Sequence, residues 1–323
     1  MSDRASEYDV TSHIRTTDPD EVHAEVSRIY RHLYPGAFTG QIDQAFHDAA
    51  DLYRGEREGF RRCDTPYHDI QHVLDVTLAI ARLMDGYERA RAGTPLEAAL
   101  FRLGIIVALF HDCGYILAVD DTEHATGGEV TLTHVSRGAQ FLREYLPSIG
   151  MGEVAEVAGQ LIHFTGFEMP VAVIEVPTLR HRLLGCLLGS ADIIAQMSDR
   201  CYLEKCRDRL YPEFVAGGIA RKLGPDGREQ VLYASAEDLV LKTPKFYEGA
   251  SQRLDRDLGG AHQYAERHFG GRHLYLDEIR RSIDHARSLT SEQDVAALKR
   301  VPPVTQPGQS ADGSPGRRAP KRG

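Results

Sequence analysis

The sequence predicts an all-α protein with one helical core, and three observations carry that expectation. Apolar residues recur at steps of three and four through most of residues 21–292. One stretch, Leu96–Asp112, is apolar nearly all round over the length of a helix, as a central helix must be. Hairpin chemistry is confined to Arg221–Tyr233, where the turn signal PDG separates RKLG from REQVLY.

Residues 1–20 are polar and read as a flexible N-terminus. From Glu21 to Tyr53 the helical period runs through Val22, Val26, Ile29, Tyr30 and Leu33. Pro66 stands just before a helix expected over Tyr67–Tyr87, built on Ile70, Val73, Leu74, Leu78, Leu83 and Met84. Gly114 should end the apolar helix. Thr133 is placed to cap a helix that Pro147 would stop after Leu146. Further helices are expected over Met151–Phe164, Leu179–Arg209, Lys245–Phe269 and Asp277–Leu289. The last 23 residues, 301–323, hold five prolines and four glycines among polar residues and read as a disordered tail.

The chain of 323 residues is 42% hydrophobic and 26% charged, as expected of a globular protein. Its net charge is −9; the tail carries four basic residues and one acidic, so residues 1–300 carry −12. That balance argues against a nucleic-acid polymer or an anionic membrane as partner, and lets an anionic ligand bind only where a local cation, such as a metal, holds it. The five cysteines (Cys63, Cys113, Cys186, Cys201, Cys206) form no CxxC pair, and MSDRASEYDV is not a secretory signal. The longest unbroken apolar run, GIIVALF at 104–110, falls short of the ~18 residues of a membrane span. A reduced, cytoplasmic setting is the expectation.

Histidines and aspartates inside apolar segments are the informative feature. TPYHDIQHVLDV (65–76) sets His68 and His72 four apart, on one face of the expected helix. In VALFHDCGY (107–115), His111 and Asp112 close the most apolar helix. In LLGSADIIAQMSD (187–199), Asp192 continues the stripe of Leu184 and Leu188, where a carboxylate is costly unless paired or coordinated. Each alone has an ordinary explanation: a buried histidine usually bonds a carbonyl, and a buried aspartate a cation. One shared divalent metal would satisfy all of them together.

The order H…HD…D resembles the HD superfamily of metal-dependent phosphohydrolases, and YHDIQHVLDV is similar to the first motif of class I cyclic-nucleotide phosphodiesterases. The resemblance spans about residues 66–200 and implies an HD-domain helical bundle, here with additional C-terminal helices. It also implies a metal held by His72, His111, Asp112 and Asp192, with His68 as catalytic acid. Such a metal lowers the pKa of water and neutralises a phosphoryl oxygen, while His68 protonates the departing oxygen. Imidazole and carboxylate ligands suit Mn, Fe, Zn or Co, with Mg admissible at a second site.

His134 and His163 follow Asp112 by 22 and a further 29 residues, and Asp192 comes 29 later. That rhythm resembles binuclear HD proteins, so both are candidate ligands of a second ion, with His124 competing for the place of His134. Glu129 stands where the phosphodiesterases carry a glutamate that orients the acid, and a plain helix-start carboxylate explains it equally well. Gln196, Arg200 and Lys205 are candidates for contact with substrate, set against a solvated charged face. Asp69 replaces the asparagine expected after His68, and Tyr115 stands where the phosphodiesterases place a histidine. The leading expectation is hydrolysis of a small phosphomonoester, nucleotide or phosphodiester. A di-iron HD-type oxygenase and a non-catalytic nucleotide- or metal-sensing module are the alternatives.

Overall fold

Residues 98–110 hold one charged side chain among alanines, leucines, isoleucines and phenylalanines, and the fold is wrapped around them. In the structure, a computed structural model that describes residues 4–90, 94–223 and 228–305, the chain is all-α with one two-stranded hairpin. In order the helices are α1 (Pro19–Leu33), α2 (Gly40–Arg54), α3 (Ile70–Ala90), α4 (Ala98–Phe110), α5 (His134–Ser148), α6 (Ala155–Leu161) and α7 (Leu179–Ser198). Then come α8 (Tyr202–Lys205), a π-helical turn Cys206–Leu210 and α9 (Tyr211–Ala216), followed by strands β1 (Arg221–Leu223) and β2 (Glu229–Val231). Helices α10 (Ala236–Leu241), α11 (Thr243–Gln252), α12 (Tyr264–His268), α13 (Leu274–Ser288) and α14 (Glu292–Ala296) follow.

Helix α3 is the axis: α1, α4, α7 and α12 all pack against it, and α13 packs against α7. Ten of the residues of α4, from Leu100 to Phe110, are buried, so its apolar surface has protein on every side. The 18-residue span Ala98–Tyr115 is apolar enough to cross a membrane by length and composition, with mean hydropathy 1.4, yet 83% of it is buried inside the fold. The polar interruptions that break it into short runs do not lower its average enough to exclude it, so the run length read from the sequence understated it.

Capping decides several boundaries. Asp18 accepts from the Asp20 N–H ahead of Pro19, and Thr178 from His181 N–H at the start of α7. Thr133 does precede α5, but its hydroxyl donates to the Val130 carbonyl at 3.2 Å instead of capping. Pro147 does not stop α5, which runs to Ser148, because a proline in the last turn forfeits only its own N–H. The helix expected over Leu179–Arg209 breaks at Asp199, whose carboxylate accepts from Cys201 N–H at 2.6 Å and binds Lys205 Nζ at 2.6 Å. The one expected over Lys245–Phe269 breaks where Gly259 and Gly260 take φ of +61° and +70°.

The expected hairpin forms, with Arg221 opposite Val231 and Leu223 opposite Glu229; its PDG turn lies outside the described residues. Residues 4–18, expected to be flexible, are held down. Buried Arg4 donates to the Ser198 carbonyl at 2.7 Å, and buried Asp9 pairs with Arg82 at 2.5 Å. Of the expected disordered tail, residues 301–305 lie against the body: Pro303 O accepts from Arg209 at 2.6 Å and Thr305 Oγ1 donates to Asp69 at 2.6 Å. The remainder of the tail lies outside the described residues.

Candidate metal centre

Four chain segments converge beside the buried end of α4. The chain turns sharply through residues 66–69, and α3 starts only at Ile70, where Asp69 Oδ1 accepts from the His72 N–H at 3.1 Å. His72 is therefore in the first turn of α3, and His68 is on the preceding loop instead of sharing a helical face with it. His111 ends α4, and Asp112, at φ −107° and ψ 7°, carries the chain out of it. Asp192 lies mid-way along α7 and His134 opens α5.

Asp112 Oδ2 is 3.1 Å from both His72 Nε2 and His111 Nε2, and these two nitrogens are 3.3 Å apart. Asp192 Oδ1 stands 3.5 Å from His72 Nε2 and 3.9 Å from His111 Nε2. Bonds of about 2.0–2.2 Å to one ion put its donors roughly 3–3.5 Å apart, so the spacing fits a common ion. Ring orientation agrees. His111 Nδ1 donates to the Ala108 carbonyl at 2.8 Å, which leaves Nε2 as the free lone pair. Asp112 Oδ2 is fully buried and, among the described residues, has no well-formed hydrogen bond, a costly state that a cation would relieve. The buried group His72, His111 and Asp112 can hold a metal ion.

Asp112 also reaches the other way. His134 Nε2 is 3.6 Å from its Oδ1, and His134 Nδ1 donates to the Thr131 carbonyl at 2.6 Å, so the free nitrogen again faces the carboxylate. This approach depends on Gly114: a Cβ there would lie 1.8 Å from the His134 carbonyl oxygen. Gly114 thus serves a close crossing of backbones, not a left-handed helix end. Gly114→Ala is expected to cost about 1–3 kcal/mol by chemical denaturation; an unchanged midpoint would contradict the crossing. His163 sits in the 3₁₀ turn Ile162–Phe164, its Nδ1 2.7 Å from Glu168 Oε1, and Glu168 lines the same cavity as Asp112. His124 is drawn instead to Asp121, at 3.0 Å.

His68 lies edge-on to His72, with ring centres 5.8 Å apart, and stacks on Tyr115 at 4.3 Å; Tyr115 stacks in turn on His134 at 4.3 Å. Tyr115 thus packs against both rings, and the centres of His68 and His134 are 6.3 Å apart. The carboxylate that orients His68 is Glu213 of α9: its Oε2 is 2.5 Å from His68 Nδ1, and its Oε1 accepts from Tyr67 N–H at 2.6 Å. This corrects the assignment of Glu129, whose carboxylate accepts from the Ala125 and Thr126 N–H groups at 3.3 Å in a capping box. Glu213 is 145 positions from His68 within YPEFVA, and no local pattern marks it.

The three candidates for substrate contact separate. Gln196 lines the cavity, accepts from Tyr67 hydroxyl at 3.2 Å and donates to Asp192 Oδ1 at 3.4 Å. Lys205 is buried away from it, bound to Asp199 and to Gln71 Oε1 at 2.9 Å. Arg200 lines surface grooves on the α13 side.

Burial opposes charge on every one of these groups, and neighbours decide the outcome. For His111, Asp112 and Asp192 outweigh burial and raise the imidazole to about 9; His111 and His72 in turn hold the Asp112 carboxyl well below its usual range. Burial outweighs Asp112 at His134 and lowers it, toward the neutral ring that a ligand needs. At His68, Glu213 overcomes burial and raises the pKa.

In the metal-free protein a proton on His111 therefore competes with metal below about pH 9, and raising the pH removes the competitor. The apparent metal Kd is expected to fall by about tenfold per pH unit between pH 6 and 8. Titration against a competing chelator measures it; a flat profile would remove His111 from the ligands.

Residues 117–274 match the family model described as Npun_R2479-like. The matched part, just under half of the chain, contains His134, His163, Asp192 and Glu213 and leaves out His68, His72, His111 and Asp112. No curated protein and no solved structure matches the chain.

Proposed function

We propose that the protein is a metal-dependent phosphohydrolase of HD type, which cleaves a small phosphate ester. The carrying observation is the His68–Glu213 pair at 2.5 Å, set at the mouth of a histidine–aspartate group suited to a divalent ion. His72, His111, Asp112 and Asp192 would hold that ion, and Asp112 with His134 offers donors toward a second. An ion so placed supplies Lewis acidity, neutralising phosphoryl charge and lowering the pKa of water.

The remaining work falls to the chain. Glu213 accepts at Nδ1 and so fixes the ring of His68, with Nε2 left to the cavity that His68 lines. As the ester P–O bond breaks, the departing oxygen takes the proton from His68 Nε2. A water oxygen forms the new P–O bond, and the proton it releases restores the imidazolium. Glu213 raises the His68 pKa against burial and so favours the protonated ring that this step needs. Tyr67 and Gln196 fix the Asp192 side of the site through their hydrogen bonds.

Paired donor groups about Asp112 equally suit two irons, which supports an oxygenase as the second reading. Oxygen chemistry does not need an acid–carboxylate pair, whereas ester cleavage uses one to protonate the departing oxygen, and this favours hydrolysis over it, as over a site that only senses a ligand. The test is a panel of phosphate esters with Mn²⁺, Fe²⁺, Co²⁺ and Zn²⁺, in air and without oxygen. Metal-dependent phosphate release in both atmospheres is expected; an inert panel together with O₂ uptake would replace hydrolysis by the oxygenase reading.

A further inference from the structure

The metal-binding group forms one end of a cavity of about 380 Å³, space for roughly a dozen water molecules. The rest of its wall is of a different character. Leu210, Phe214, Ile219, Leu239 and Phe246 line it, from the π-helical turn, α9, the segment leading into β1, α10 and α11. At its open side stand Leu132 and Phe167, 70% and 63% exposed, side chains that water would not favour on a bare rim.

Cations are what a polyphosphate or nucleotide tail would need, and the wall offers few. Lys242 is the one lysine or arginine among the described lining residues, and it is committed elsewhere: Nζ binds Asp238 Oδ2 at 2.7 Å and the Leu232 carbonyl at 2.8 Å. Of the polar side chains that also line it, Glu168 is bound to His163, Gln196 to Tyr67 and Asp192, and Thr243 to the Leu239 carbonyl, while Tyr202 and Tyr233 add ring hydroxyls among the apolar groups. Thr131 and Thr165 already donate to carbonyls of their own turns, at 2.6 and 2.8 Å. A polar organic group set against Leu210, Phe214 and Phe246 would lose water without replacing its hydrogen bonds, whereas an apolar one gains by burial.

We propose that the substrate is a monophosphate ester with an apolar organic group, aryl or alkyl. Its phosphate lies at the histidine–aspartate end and its organic group against Leu210, Phe214 and Phe246. This rests on the phosphohydrolase reading and narrows it. The leaving group is then an apolar alcohol or phenol, released with the proton from His68, while phosphate keeps the oxygen of water.

The experiment compares kcat/KM of the Mn²⁺-loaded full chain for 1-naphthyl phosphate and octyl phosphate with that for glycerol 2-phosphate and adenosine monophosphate. The apolar esters are expected to lead by roughly tenfold or more. Phe246→Ala should narrow the ratio of naphthyl to glycerol ester; its half-exposed side chain makes a folded variant the expected product. Equal or better turnover of the polar esters overturns this inference and leaves hydrolysis standing. If no ester turns over, calorimetric binding of 1-naphthyl phosphate separates the two ideas. Binding that Phe246→Ala weakens supports the apolar occupant while hydrolysis falls. Binding no tighter than that of glycerol 2-phosphate overturns the occupant as well.

Discussion

Asp192→Ala is expected to strip the protein of metal and of turnover while leaving the fold of the metal-free chain in place. Asp192 is one of four donors around a common point, and its described hydrogen bond is the 3.4 Å contact from Gln196 Nε2, near the limit for such a bond. Helix α7 is held by other means: Leu184, Leu187, Leu188, Ile193 and Ile194 are all buried, against α3 and α13. Without metal the substitution therefore moves the melting temperature little. With metal the wild type alone gains the binding free energy, about 2.7 kcal/mol at a hundredfold excess over Kd. Thermal melts of both proteins, with chelator and with Mn²⁺, read this difference directly. A variant that melts lower by the same amount in both conditions would make Asp192 a structural ion-pair partner instead.

His68→Ala should separate chemistry from metal. It removes the proton donor but none of the four candidate ligands His72, His111, Asp112 and Asp192, so kcat is expected to fall by roughly 10²–10⁴ with metal content unchanged. Glu213→Gln keeps a hydrogen-bonding side chain and loses the charge that raises the His68 pKa. The alkaline limb of the kcat–pH profile is then expected to move to lower pH, because the imidazolium gives up its proton sooner. Metal loss in His68→Ala would make His68 a ligand; an unmoved limb in Glu213→Gln would mean that Glu213 does not tune it.

Local pattern decided what could be read in the sequence. The all-α class was legible because the helical period persists across the chain, and α4 because it is apolar on every side. His72, His111, Asp112 and Asp192 stood out because a polar residue inside an apolar stripe asks for a partner. The partners themselves were legible only where they too lay in such stripes. Glu213 sits on a short helix with an ordinary surface-like sequence, and only the turn through residues 202–216 carries it back to His68. Glu129 has the right neighbourhood in sequence, but its backbone claims the carboxylate first. Lys205 read as a solvated or phosphate-binding cation because charge gives no hint of burial; buried Asp199, six residues earlier, is what holds it inside. The N-terminal arm misled for the same reason, since Arg4 and Asp9 look like surface residues until Ser198 and Arg82 are beside them.

The proposed binding of a metal ion by His72, His111, Asp112 and Asp192 is open to direct measurement. Elemental analysis of protein purified without chelators, repeated after reconstitution with Mn²⁺, Fe²⁺, Co²⁺ and Zn²⁺, addresses it most directly. About one to two equivalents of transition metal per chain are expected, lost in Asp192→Ala. Protein that is metal-free as purified and takes up none on reconstitution would contradict it.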